Sequence, residues 1–274
     1  MKKFTFFSFL LTASLSIQAF ALDNNLKAIP SDVEKCEKNY HCSSVHYPFG
    51  SGGDLYQATL TGIFSFFYLN GEDKTIYFTD SNLGYTTFND VRGENIVINT
   101  PHLLVTTIQN SVFSGLFINL PKRTITHMMD LSIENTVLNH FNMVDNSEGQ
   151  NDDFSAYFIV IAGSSMENTM LDFSQWSSYL DLGKVRMKDS VIKINKNNKF
   201  TFDSSLLENS KIIGLLGQFV KFTNSTFLNS DLSGMICDKP IFKLDLAHPE
   251  IASTDEFHIH FDKDTKFNDS CLIK

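Results

Sequence analysis

The sequence predicts an all-β fold, a right-handed parallel β-helix with a cap at each end. Two observations predict it. A bulky apolar residue returns every fifth position over long stretches, a period that belongs to neither a helix nor a strand. Long amphipathic helical patterns are scarce throughout, which disfavours a mainly helical chain. An all-β sandwich is the alternative, because alternating strands generate some period-five matches by accident.

Residues 1–21 read as an export signal. Lys2 and Lys3 form a positive start, "FTFFSFLLTASLSIQAF" an apolar stretch, and Ala19-Phe20-Ala21 a cleavage site. No later stretch reaches the ~20 apolar residues of a spanning helix, so no integral membrane segment is expected. The mature chain is expected to be exported, periplasmic or secreted.

Residues 22–90 have the texture of an N-terminal cap. "SDVE" at 31–34 fits a capping box and predicts a short helix from Asp32 to about Lys38. "GSGGD" at 50–54 lacks the Lys and spacing of a phosphate cradle and reads as a connector. Two β-rich runs around Asn70-Gly71 predict a hairpin.

The repeat domain is placed at 91–237. Counting by fives from Ile98 gives Leu103, Ile108, Phe113, Ile118, Arg123, Met128, Ile133, Leu138 and Met143, of which only Arg123 is not apolar. A second run starts at Leu182 and ends at Cys237, and Met166, Leu171 and Trp176 form a shorter run in a third register. The chain as a whole is 42% hydrophobic, so such recurrence is far above composition. Two places before the apolar residue stands a small hydroxylated one, as at Thr106, Ser111, Thr136, Ser190, Ser205, Ser210, Ser225 and Ser230. A short side chain there permits close approach of coils, and the Asn or Gly that often closes the unit tolerates a corner. Each straight segment then points one residue inward, and stacking buries it.

On these residues the chain resembles the pentapeptide-repeat family. "SLLENSKIIG" (205–214) and "STFLNSDLSG" (225–234) match its small–polar–Leu/Phe–x–x unit. Leu116, Phe141, Phe200, Leu215 and Val220 put large groups where that family has Ala or Ser, and the register breaks twice. The resemblance implies a right-handed quadrilateral β-helix. Some members of that family protect gyrase by mimicking DNA, but the export signal directs this chain to another compartment.

Residues 238–274 are expected to form the C-terminal cap, from one or two strands in "IFKLDL…EFHIHFDKD". Four cysteines in an exported chain imply two disulfides and allow three connectivities. Cys36–Cys42 and Cys237–Cys271 are favoured, each stapling one end; a pair tying the two ends together, or free thiols, is the alternative.

Removing Lys2 and Lys3 from 22 basic residues leaves 20 against 31 acidic ones, a formal charge of −11. Such a chain repels phosphate backbones, so no nucleic-acid partner is expected. "DNSEGQNDD" interrupts the repeat, and Asp145, Ser147, Glu148, Asp152 and Asp153 are candidate oxygens for Ca²⁺. In "FHIHFD", His258 and His260 share one face of a strand with Asp262, a set that suits Zn²⁺. The competing reading is an edge strand with its polar face in water. His41, Cys42 and His46 have the makings of a thiol–imidazole site, which oxidation of Cys42 removes.

Nucleotide, serine-hydrolase and zinc-protease signatures are all absent. Asp172, Asp181, Asp189, Asp203 and Glu208 lie within the repeat, and glycoside hydrolysis needs two carboxyls at defined separation. The expected function is an exported, non-enzymatic solenoid presenting an acidic surface to a protein or glycan partner, as a secreted bacterial effector or surface-interaction protein. No cofactor is expected. The alternative is a carbohydrate-active β-helix enzyme, a polysaccharide lyase or glycoside hydrolase.

Overall fold

The computed structural model describes residues 41–43, 59–64, 76–79, 83–89, 91–100, 103–121, 130–146, 157–175, 178–217, 219–244, 251–253 and 258–273. These form short strands stacked in parallel into a solenoid, with one three-residue 3₁₀ turn at Asp269–Cys271 and no other helix among the described residues. The expected helix at 32–38 lies outside them.

Three sides of the coil carry strands. The first stacks Thr86–Asn89, Thr106–Gln109, Leu131–Glu134, Phe158–Ala162, Tyr179–Gly183, Lys199–Asp203 and Val220–Thr223. The second stacks Val137–Asn139, Ser165–Glu167, Arg186–Lys188, Leu206–Glu208 and Thr226–Leu228. The third stacks Asn142–Asp145, Met170–Asp172, Val191–Ile194 and Lys211–Leu216. Arg92–Asn99 and Val112–Leu120 bend across the second and third sides.

Inward positions alternate with outward ones along strands such as Phe158–Ala162, Tyr179–Gly183 and Lys199–Asp203, as the pleat requires. Ile108, Ile133, Ile161, Leu182, Phe202 and Phe222 therefore line the inside of the first side, and Phe113, Leu138, Met166, Met187, Leu207 and Phe227 that of the second. All twelve are buried, and one apolar core runs the length of the molecule. The large residues at small positions join it: Leu116, Phe141 and Phe200 are buried, and Phe200 packs against Phe202 and Phe222.

The corners explain the Ser and Thr pattern. Before each corner hydroxyl stands a residue with positive φ, such as Asn110 (φ 52), Asn135 (φ 49), Asn209 (φ 49), Asn224 (φ 48) and Asn229 (φ 46). Asn tolerates that left-handed conformation better than other side chains with a Cβ. The bend takes the next amide out of the strand ladder, and the hydroxyl one coil on accepts it. Val91 N–H donates to Ser111 Oγ at 3.0 Å, Val185 N–H to Ser205 Oγ at 2.9 Å and Ser190 N–H to Ser210 Oγ at 2.9 Å. Each hydroxyl donates in turn to the carbonyl two residues back, as Ser210 does to Glu208 at 2.6 Å. Close approach is thus only half the reason for a small residue; the other half is satisfaction of a buried amide.

The same bonds measure the coil. Successive hydroxyl rungs lie 20 residues apart at Val91–Ser111 and from Val185 to Ser225, 25 from Ser111 to Thr136, 28 from Thr136 to Ser164 and 21 from Thr169 to Ser190. A turn of 25 adds one whole unit and keeps the five-residue register. Turns of 28 and 21 do not, and these are where the register read from the sequence breaks. All the extra residues enter between the third side and the next first side, at 120–130, 146–157 and 174–178.

The hairpin expected at Asn70-Gly71 has its turn outside the described residues; of the flanking chain, Thr59–Phe64 joins the first side beside Thr86–Asn89, and Ile76–Thr79 joins the third beside Ile96–Asn99. At the other end His258–Phe261 stacks on the second side and Lys266–Phe267 on the third, while Ile251–Ser253 pairs antiparallel to His258–Phe261. Cys237 and Cys271 form a disulfide there with Cα atoms 5.0 Å apart. Cys36 and the side chain of Cys42 lie outside the described residues.

Candidate functional site

Four carboxylates of the second and third sides face cations on neighbouring coils. Arg186 bonds Glu208 at 3.0 Å and Lys193 bonds Asp172 at 2.9 Å, while Lys188 faces Glu167 at 3.5 Å and Lys211 faces Asp231 at 4.0 Å. Burial pushes the Asp172 carboxyl up, but the Ser174 and Lys193 donors outweigh it and leave it below its ordinary value. These pairs register one coil on the next and leave little net field.

The first side is different. Asp181 lies midway along Tyr179–Gly183 with Val160 and Thr201 as its outward neighbours. Burial, then the charge of Asp203, holds its carboxyl above the ordinary value. No cation or hydrogen-bond donor among the described residues is paired with it. Asp203 accepts the hydroxyl of Thr223.

Beside these carboxylates runs a row of rings. Phe158 and Tyr179 are register partners with centroids 5.5 Å apart. Lys199, the next partner of Tyr179, places its ammonium 4.1 Å from that ring's centroid and 5.3 Å from that of Phe219, and donates to the Tyr179 hydroxyl. Phe219 is 49% exposed. A cation held between two ring faces stiffens both. The row follows from the coil: position one of the first-side strand recurs at each turn, so residues distant in sequence align along the axis.

The corner between the first and second sides is a shallow groove of about 560 Å³, lined by Lys184, Arg186, Ser204, Asn224 and Thr226. Two further hydroxyls of its wall, Ser164 and Ser205, donate to the carbonyls of Ala162 and Asp203 in the corner bonds described above.

Of the three candidate zinc residues, the side chains of His260 and Asp262 lie among the described residues. His260 is exposed opposite Thr226. The Asp262 carboxylate accepts the Asn229 N–H at 2.9 and 3.0 Å and the Thr265 hydroxyl at 2.8 Å, so it pins the last strand to a corner. The side chain of His258 lies outside the described residues, which contain no group of three or more His, Cys, Asp or Glu placed to hold an ion. Asp145 is buried and accepts from Ser178. Ser147, Glu148, Asp152 and Asp153 fall outside the described residues, as do His46 and the side chains of His41 and Cys42.

Sequence reasoning missed the ring row and the Asp181–Asp203 pair. Their signal is a spacing of 20 or 21 residues between Phe158, Tyr179 and Lys199, which becomes visible only once the coil length is known.

A coil of 20 residues is four five-residue units, and at Ile192, Leu207 and Ile212 a buried apolar residue follows a corner Ser two places earlier. The chain is a pentapeptide-repeat-like solenoid. No family model matches this solenoid, and no curated protein does. Among solved structures, it is similar to QnrB1, described as a plasmid-mediated fluoroquinolone resistance protein, at 10% identity, with 85% of this chain and 89% of that chain covered and a TM-score of 0.17. A likeness at that level carries no argument about function. No helix among the solenoid's described residues is long and apolar enough to cross a membrane.

Proposed function

We propose that the chain is an exported, non-enzymatic β-solenoid that binds a protein or glycan partner, and that the first side is the binding surface. The observation that carries this reading is the contrast between sides. Four acid–base pairs link coils on the second and third, whereas Asp181 on the first is paired with no cation or donor among the described residues and stands beside partly exposed rings. Rings and unmatched carboxylates are the groups a partner engages with gain, since matched pairs must first be broken.

Acids and bases nearly balance among the described residues, so the acidic excess of the whole sequence is carried by the segments outside them. The acidic surface proposed here is therefore local, formed by Asp181 and Asp203, rather than a uniform face.

One observation favours a carbohydrate-active enzyme as second reading: two carboxylates that sense each other, one with a raised pKa, beside aromatic rings. Retaining and inverting glycosidases both rest on such a pair. Photo-crosslinking from position 179 on producing cells tests the binding reading, which predicts a crosslinked species there and none from position 189 on the corner opposite. Release of reducing sugar by the purified chain, lost in Asp181→Asn, would support the enzyme instead.

A further inference from the structure

We infer that the groove at the corner between the first and second sides binds a small organic oxyanion, a carboxylate or a sulfate ester, with its charged head between Lys184 and Arg186. This site is separate from the ring row of the first side, and its failure would leave the partner-binding reading untouched.

The groove follows from the way the corner is built. Gly163, Lys184, Ser204 and Asn224 turn it in four consecutive coils, all exposed and all at positive φ. Backbone bonds from Gly163 to Gly183, Lys184 to Asp203 and Ser204 to Thr223 stack them in a row. The residue after each is buried, and the one after that faces outward in register, as Ser165, Arg186, Leu206 and Thr226 on the second side. Two outward rows thus flank a buried one. Gly163 has no side chain and Ser204 a short one, so the corner row is hollow on either side of Lys184. The resulting volume of about 560 Å³ is that of a small-molecule site.

The polar groups around this hollow are unspent. At the corner between the second and third sides Asn229 donates to Asn209, one coil away, at 2.8 Å. Asn224 has Ser204 in that place, too short to reach it, and its carboxamide has no partner among the described residues. The hydroxyls of Ser165, Ser204 and Thr226 and the ammonium of Lys184 have none among them either. Arg186 is held by Glu208 at 3.0 Å, which orients the guanidinium and leaves it further N–H donors.

Charge names the ligand. The whole chain has 31 acids against 22 bases, yet no Asp or Glu among the described residues lines this groove. Asp203 ends the neighbouring strand but accepts from Thr223, and Glu208 reaches Arg186 from the next coil. Two cations at one place therefore meet a ligand's anionic oxygens in charge-assisted hydrogen bonds. The hydroxyls and carboxamide further along the row suit a polar body. A cationic ligand meets two like charges, and a neutral one leaves Lys184 unmatched.

The test is titration of the isotope-labelled, purified chain with sodium sulfate, D-glucuronate and D-glucose at constant ionic strength, read from backbone amide shifts. Saturable shifts at Lys184–Arg186 and Ser204–Leu206 are expected with sulfate and glucuronate, and none with glucose. Ser204→Asp sets a carboxylate in the hollow beside Lys184 and is expected to weaken binding about tenfold, on a residue type that tolerates the corner. Lys184→Met is expected to weaken it about fivefold. Lys188→Met removes a cation of the same strand that faces Glu167 outside the groove, and is expected to leave affinity unchanged. Should Ser204→Asp unfold, Lys184→Met decides. Tighter binding of sulfate assigns a sulfate ester, and tighter binding of glucuronate a carboxylate. Absence of saturable shifts, an equal response to glucose, or an equal loss in Lys188→Met overturns the inference.

Discussion

The amide of Ser190 donates to the hydroxyl of Ser210, one coil later and 2.9 Å away, and that hydroxyl donates onward to the carbonyl of Glu208. Both serines are buried. The pair shows how a chain with sharp corners keeps its core polar groups satisfied: each corner of one coil is completed by the next.

Removing one such hydroxyl leaves an amide without an acceptor in a dry place. Ser210→Ala is expected to cost ~1–3 kcal/mol, read as a lowered denaturant midpoint. Ser174→Ala, whose exposed hydroxyl bonds Asp172 at 2.6 Å, is expected to cost far less. Equal effects would show that the corner ladder is not a stabilising element.

Corner conformation predicts opposite signs at two positions. Val105 holds φ 53 with a branched side chain, a conformation that costs a residue with a Cβ ~1–2 kcal/mol. Val105→Gly is expected to raise the denaturant midpoint. Gly214, at φ 128, has room for no side chain, because a Cβ there would lie 1.9 Å from the carbonyl oxygen of Ile194. Gly214→Ala is expected to split that coil from its neighbour, with loss of cooperative unfolding.

The Asp181 prediction carries a pH dependence. Its folded pKa stands above its unfolded value, because of burial and then Asp203. The folded state therefore binds the proton more tightly, and stability falls as pH rises from the unfolded value of 3.8 through the raised one. At neutral pH the penalty is fully present. Asp181→Asn is expected to stabilise the chain at pH 7 and to make no difference below pH 3.8. The same variant is expected to bind its partner more weakly, which marks the carboxylate as retained for binding.

The Cys237–Cys271 bridge spans 34 residues. Closing a loop of that size stabilises by ~3–4 kcal/mol in the chain-entropy account. Reduction, or the double change Cys237→Ser and Cys271→Ser, is expected to lower the denaturant midpoint and to raise hydrogen exchange first at Met235–Cys237.

The period-five apolar residues made the coil legible, because burial inside a narrow solenoid leaves no freedom in their spacing. Phe141 and Phe200, which break the small-residue rule, proved compatible because the core accepts rings at corners as well as at strand centres. The register break before Met166 was legible with its cause, the insertion "DNSEGQNDD", whereas that before Met187 was legible only as a break, because one extra residue in a turn leaves no compositional trace. The site was hidden for a related reason. Asp181 and Tyr179 look like ordinary outward residues of one strand, and only the 20-residue turn puts Phe158, Lys199 and Asp203 around them.

The alignment of the first side can be measured directly by cysteine pairing. Tyr179 and Lys199 are register partners on adjacent coils, both facing outward. Tyr179→Cys with Lys199→Cys is predicted to form a disulfide under mild oxidation, identified by mass spectrometry of the linked peptides. Tyr179→Cys with Phe200→Cys, shifted by one residue to the inner face, is predicted not to. Crosslinking of the shifted pair but not the matched one would contradict the 20-residue coil, and with it the row of rings on which the proposed function stands.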